Sequence, residues 1–201
     1  MSEPADEPDS HLRERFAGQR EMLSVGWLEL RRDSVHLPDG GTATREYIQH
    51  PGAVAVLPLL DDGRVVLVRQ FRYPVGKVLL ELPAGKRDPG EDLLHCAARE
   101  LAEETGYRAT EWAYAGEIHN AAAYATESIW LYVARGLVPG PQRLDEGEFV
   151  EVVAHTEAEL DALQAAGQLP DVKTAIGLHL LQRWRAGART LEWRAAPTIG
   201  P

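Results

Sequence analysis

The sequence predicts an α/β fold, a sandwich of a mixed sheet flanked by helices, with an N-terminal β-hairpin ahead of it. Short apolar runs of strand character stand on both sides of one strongly helical stretch, residues 82–107, and two more helical patterns follow towards the C-terminus. Turn signals such as Pro38-Asp39-Gly40-Gly41 and Asp61-Asp62-Gly63 separate the runs. With 201 residues, 44% apolar and 26% charged, the chain suits one globular domain with terminal extensions. A single cysteine rules out an internal disulfide framework and fits a reducing, cytoplasmic setting. The acidic start MSEPADEPDS lacks the basic flank and apolar run of a secretory signal, and no apolar stretch is long enough to span a membrane. A net charge of −10 argues against nucleic acid as a partner, because such binding rests on Lys and Arg neutralising phosphates. A small diphosphate stays admissible if a metal ion carries the positive charge.

Taken in order, residues 1–18 mix Pro, Asp, Glu and Ser with little apolar content and read as a flexible segment. Residues 19–50 read as N-terminal strands, with Thr42 to Gln49 returning after the Pro-Asp-Gly-Gly turn as the second arm of a hairpin. The main domain is expected over 51–186. It opens with a buried strand, Ala53 to Leu60, and a second from Arg64 to Gln70. After the central helix, Trp112 to Ile118, Ser128 to Ala134 and Phe149 to Val153 read as strands. Thr156-Glu157-Ala158-Glu159 is a capping-box sequence that opens a helix ended by Gly167. Another helix begins near Pro170, with Ala175, Leu178, Leu181 and Trp184 as its core stripe, and 187–201 is a tail.

The chemistry concentrates on the central helix, expected from about Pro89 to Thr105. Leu94, Ala97, Ala98 and Leu101 recur at i, i+3, i+4, i+7 and face a core. Glu100, Glu103 and Glu104 recur at i, i+3, i+4 along a neighbouring edge. Like charges at this spacing repel, and a hard divalent cation, Mg²⁺ or Mn²⁺, relieves that repulsion while holding phosphate oxygens. Arg99 is placed to pair with one of the glutamates and fix its rotamer. Gly85 lets the preceding loop turn tightly beside a ligand, Asp88 and Glu91 put negative charge at the helix start, and Gly106 follows its end. Glutamate-rich helices are ordinarily solvent-facing; the framing by Gly85, Glu91 and Arg99 sets this one apart. Cys96, with no second cysteine or paired His, reads as a small core filler. Two other stretches bear charge suited to a diphosphate. Arg69 and Arg72, with Phe71 and Tyr73 between and beside them, form a candidate phosphate clamp. Asp145, Glu146 and Glu148 lie on a glycine-containing loop, where a mobile carboxylate is a candidate general base.

Gly85, Glu91, Arg99-Glu100-Leu101 and Glu103-Glu104-Thr105-Gly106 fill the spacing of the Nudix box, and the chain resembles the Nudix hydrolases. Glu81-Leu82-Pro83-Ala84-Gly85 ahead of the box is similar to the ADP-ribose pyrophosphatase-like subfamily, as are Thr126-Glu127 and the Asp171-x-Lys173-Thr174 opening. The resemblance implies a Nudix-type α/β/α sandwich and Mg²⁺-dependent hydrolysis of the diphosphate bond of a nucleoside diphosphate sugar, ADP-ribose yielding AMP and ribose 5-phosphate. It implies metal contacts at Ala84 (carbonyl), Glu100, Glu103, Glu104 and Glu148, and a catalytic group of Glu146 as base with Glu103 and Arg99. Arg72, Glu81, Gly85 and Glu127 are implied around the substrate. The N-terminal strands are implied to make a homodimer with exchanged elements. Ala121 to Ala123 stand where the subfamily carries a proline, which keeps another nucleotide sugar, such as GDP-mannose, in view. A non-catalytic nucleotide-sensing module is the remaining alternative, though such modules often lose box glutamates and none is lost here.

Overall fold

The computed structural model describes residues 10–197, and the chain divides into two compact units. The expected flexibility of residues 1–9 and the end of the tail, 198–201, lie outside the described residues. One unit comprises the chain up to His50 together with Ala121–Glu127; the other holds Pro51–Asn120 and the chain from Ser128 onward.

The first unit is a three-stranded antiparallel sheet, β1 (Arg15–Val25), β2 (Leu28–His36) and β3 (Thr42–Gln49), in that order. It contains the hairpin expected from the sequence, β2 and β3 joined across the Pro-Asp-Gly-Gly turn, and adds β1 as a third strand. Val25 pairs with Leu28 across a two-residue turn at Gly26-Trp27, and Gly26 takes φ 59°, the left-handed geometry such a turn requires. That turn splits one apolar run into two strands. β1 also starts at Arg15, inside the segment read as flexible. The guanidinium of Arg20 holds it against β2 with two bonds to the Asp33 carboxylate, at 2.6 and 2.5 Å. Tyr124 joins this unit by accepting a bond from the Ile48 N–H at 2.8 Å.

The second unit is built on a mixed sheet in the order β11-β8-β9-β4-β7, formed by β4 (Ala53–Pro58), β7 (Ala84–Lys86), β8 (Tyr107–His119), β9 (Ser128–Pro139) and β11 (Trp193–Ala195). β4 runs parallel to β9, and the other pairs are antiparallel. A second sheet, ordered β10-β5-β6, contains β5 (Val65–Arg72), β6 (Lys77–Glu81) and β10 (Val150–His155). Strand alternation gives the mixed sheet two buried faces. Val54 and Val56 pack under α1 (Leu93–Thr105) against Cys96, Ala97 and Leu101. Ala55 and Leu57 face the other way, onto Val65 and Leu67 of β5 and onto Leu160, Leu178 and Leu181 from α2 (Glu157–Ala165) and α3 (Val172–Arg185). Layers of helix, sheet, and second sheet with helices give the expected α/β/α sandwich.

Several boundaries move. α1 begins at Leu93 rather than near Pro89, because Asp92 is its N-cap. Cys96 takes the buried place expected for Leu94, which is only half-buried. The capping box at Thr156 and Glu159 forms as read. The tail is not featureless, since Trp193–Ala195 pairs with Ala113–Glu111 as the edge of the mixed sheet.

Candidate active site

α1 is fixed at both ends. The Asp92 carboxylate accepts from the Leu94 and His95 N–H groups at 2.9 and 3.2 Å. Gly106, at φ 73°, donates back to the Ala102 carbonyl and closes the C-terminus. Gly85 does not make the tight turn expected of it. It lies in β7, opposite Val54, in extended backbone. Its requirement is steric: a Cβ there would sit 2.0 Å from the Glu100 carboxyl carbon. The missing side chain is the space Glu100 occupies.

Arg99 gathers the acidic edge, as its spacing predicts. Its Nε and Nη2 donate to both oxygens of Glu91 at 2.9 Å, Nη1 donates to Glu100 at 2.8 Å and Glu103 at 3.0 Å, and Nη2 also reaches the Lys86 carbonyl at 3.1 Å. That pairing holds the Glu91 carboxyl down to about 2. The other glutamates go the opposite way. Burial pushes Glu100 up to about 7; Arg99 opposes this, and the charges of Glu103 and Glu148 add to it. Burial pushes Glu104 up to about 8 against a 3.0 Å bond from the Ala84 N–H, with Glu100 and Glu148 adding to the rise. Glu148, on the loop before β10, is thus brought within electrostatic reach of the helix. Glu146 lies exposed in the same turn.

The donor set suits a hard divalent cation. Glu104 is 4% exposed and its closest charged neighbours include two more carboxylates, an arrangement disfavoured unless a cation joins it or protons stay bound. Among the described residues, no three His, Cys, Asp or Glu side chains are already drawn together as a ligand group. Arg99 Nη1 donates to both Glu100 and Glu103.

The paired-arginine clamp is not what forms. Arg69 and Arg72 are an odd number of residues apart on β5 and point to opposite faces. Arg69 pairs with Glu151 on β10 at 2.6 Å in an exposed position. Arg72 donates twice to Glu81, at 2.9 and 2.8 Å. Glu81, 1% exposed, also takes a bond from Lys173, which reaches Asp171 at 2.9 Å. Asp171 accepts from the N–H and hydroxyl of Thr174, and that hydroxyl accepts from the Leu82 N–H at 2.8 Å. Burial pushes the Glu81 carboxyl up, but Arg72 and Lys173 together outweigh it and hold the group below its ordinary range. Lys173 and Thr174 carry no individual role in the sequence reading. Their signal was the opening of α3, an Asp N-cap followed by a lysine that the structure buries. Glu127 lies in the first unit, where its carboxylate is 3.6 Å from His50 Nε2.

Comparison with known proteins identifies the domain and the fold. The model of the NUDIX domain matches residues 49–174. The chain is 36% identical to an ADP-ribose pyrophosphatase of Bacillus subtilis (strain 168), over 85% of this chain and 94% of that protein. It is 40% identical to a methanol dehydrogenase activator of Bacillus methanolicus, over 84% and 92% of the two chains. A crystal structure of an ADP compounds hydrolase shares the fold, with a TM-score of 0.78 and 22% identity, covering 88% of this chain and 96% of that one. With the box complete on α1 and the domain match running from the end of β3 into α3, the chain belongs to the Nudix family of pyrophosphohydrolases.

Proposed function

We propose that this chain hydrolyses the diphosphate bond of ADP-ribose, giving AMP and ribose 5-phosphate. The carrying observation is Glu104, buried at 4% exposure, beside the half-buried Glu100, with burial pushing the two carboxyls up to about 8 and about 7. The name and coverage of the Bacillus subtilis relative support ADP-ribose as the substrate. Glu100, Glu103, Glu104, Glu148 and the Ala84 carbonyl would hold the divalent ion, with Mg²⁺ the first choice for an oxygen donor set. When bound, that ion supplies Lewis-acid withdrawal of charge from the phosphoryl oxygens.

The protein's own groups do the rest. Gly85 admits the Glu100 carboxylate close to the backbone, and Arg99 orients Glu100 and Glu103 from one guanidinium. Arg72, held in place by Glu81, presents its remaining N–H groups to a phosphate oxygen. Glu146, exposed on a glycine-containing turn, takes the proton from the attacking water. The three-stranded sheet of the first unit leaves Met22, Leu23, Val25 and Trp27 each at least half exposed, which favours a homodimer formed through it. Light scattering on the full chain reads that mass directly.

The decisive assay is product analysis with Mg²⁺ present, across ADP-ribose, GDP-mannose and other nucleoside diphosphate sugars. AMP and ribose 5-phosphate from ADP-ribose, at a kcat/KM well above the rest, is the expected result. A preference for GDP-mannose would reassign the substrate, and no turnover of any compound would leave the non-catalytic reading.

A further inference from the structure

The face of the mixed sheet that carries α1 extends beyond the helix. Register sets a row of side chains across it: Arg194 of β11 stands opposite Trp112 of β8, and Tyr114 of β8 opposite Tyr132 of β9. Tyr132 and Trp130 in turn pair with Val56 and Val54 of β4, which lie under α1, so alternation puts the whole row on one side. Past the first turn of the helix the row opens at Tyr114 and, in part, at Trp130, while Trp112 and Tyr132 stay buried, at 1% and 9% exposure. It floors a cavity of about 560 Å³, walled by Leu93 and Leu94, with Glu192 and Arg194 at its rim.

The floor is built rather than incidental. Gly52 sits at φ 92°, and a Cβ there would lie 2.5 Å from the Trp130 ring, so the backbone is cleared for that ring. Tyr114 is 50% exposed, and its ring lies tilted against Tyr132 at 5.6 Å between centroids. The rim charges decide what the floor can take. The Asp92 carboxylate is already occupied by the N–H groups of Leu94 and His95 at the start of α1. Glu192 and Arg194 remain, and Arg194 makes no ion pair among the described residues. Two carboxylates, Asp92 and Glu192, and one guanidinium line the pocket; the Asp92 charge is held at the start of α1 by the Leu94 and His95 N–H groups, and Arg194 keeps a guanidinium free beside an aromatic surface.

We propose that this pocket binds a nucleoside monophosphate, separately from the Glu100–Glu104 site. The base lies on Tyr114 and Trp130, the phosphate on Arg194, and the ribose hydroxyls on Glu192. The volume falls within the roughly 300–1,000 Å³ typical of small-molecule sites. The helix supplies only its first turn here, whereas the glutamates of the box stand further along it, so the assignment does not depend on the hydrolytic reading.

Calorimetric titration of the full chain in EDTA, with AMP, adenosine and inorganic phosphate as probes, tests it. Arg194→Ala should weaken AMP about tenfold and leave adenosine within about threefold, while Tyr114→Ala should weaken both about tenfold. Both residues are exposed, so melting temperature and, where turnover is seen, kcat and KM should stay at wild-type values in both variants. AMP affinity unchanged in the two variants would place all AMP at the catalytic site and overturn the proposal. So would failure of AMP to bind at about 5 mM. A loss of turnover or of melting temperature in parallel with AMP binding would also overturn it, since the pocket would then not be separate.

Discussion

Glu81 and Glu104 are buried alike, at 1% and 4% exposure, and their carboxyls shift in opposite directions. Glu81 arrives with two cations of its own chain, Arg72 and Lys173, and stays ionised. Glu104 has a backbone N–H, two neighbouring carboxylates and only the more distant charge of Arg72, which is already paired with Glu81, and burial pushes it up to about 8. The first arrangement is complete and positions Arg72. The second is incomplete without an external charge. A buried carboxylate is structural when the fold supplies its counter-ion and functional when the fold withholds it.

Substitutions at the two centres should therefore separate cleanly. The largest effect is expected from Glu104→Gln, which should lower kcat roughly 10³-fold with Mg²⁺ while raising the melting temperature in EDTA at pH 8, because a buried charge is removed. A fall in both would mean that Glu104 is structural like Glu81. Gly85→Ala should cost about 10²-fold in kcat/KM, since its Cβ displaces Glu100, with circular dichroism showing the fold retained. Lys173→Met leaves Glu81 with Arg72 alone. It should cost about 3 kcal/mol in denaturant unfolding and raise KM more than it lowers kcat, because it acts through Arg72.

A pH series in EDTA distinguishes the two carboxylates without any substrate. Glu104 has a folded value above its unfolded one, so it is neutral in the folded chain and ionised in the unfolded chain between about 4.5 and about 8. Its share of stability is present at low pH and is lost as pH rises through that window. Glu81 is depressed; its share is present above about 4.5 and is lost as pH falls. Glu104→Gln should make the alkaline side of the melting profile shallower, leaving the share that Glu100, pushed up to about 7, contributes there, and leave the acid side alone. The smallest effect is expected at Arg69→Ala, which removes an exposed pair and should change kcat/KM by no more than about twofold. An effect as large as that of Arg72→Ala would restore the paired clamp.

What could be read from the chain follows the range of the interactions. The stripe and the acidic edge of α1 depend on neighbours three and four residues away, and Arg99 to Glu103 is such a pair. The box helix, its C-terminal glycine and the capping box of α2 were legible for that reason. Lys173 lies 92 positions from Glu81, and only the folded chain brings them together. Gly85 shows the limit from another side: its type signals close approach, but nothing local says that the approaching group is Glu100. β11 is only three residues long, too short to display a period. The opposed directions of Arg69 and Arg72 were available from parity alone, because an odd spacing on a strand cannot place two side chains on one face.

The position of Arg99 has a practical corollary. Its guanidinium already bridges Glu100 and Glu103, so the metal-free protein has a resident substitute for part of the missing charge. Loading with a divalent ion would then be an exchange of one positive group for another rather than the filling of a void. Chelation should therefore silence the enzyme without unravelling it, and restoring the ion should return activity on the timescale of a side-chain rotation rather than of refolding.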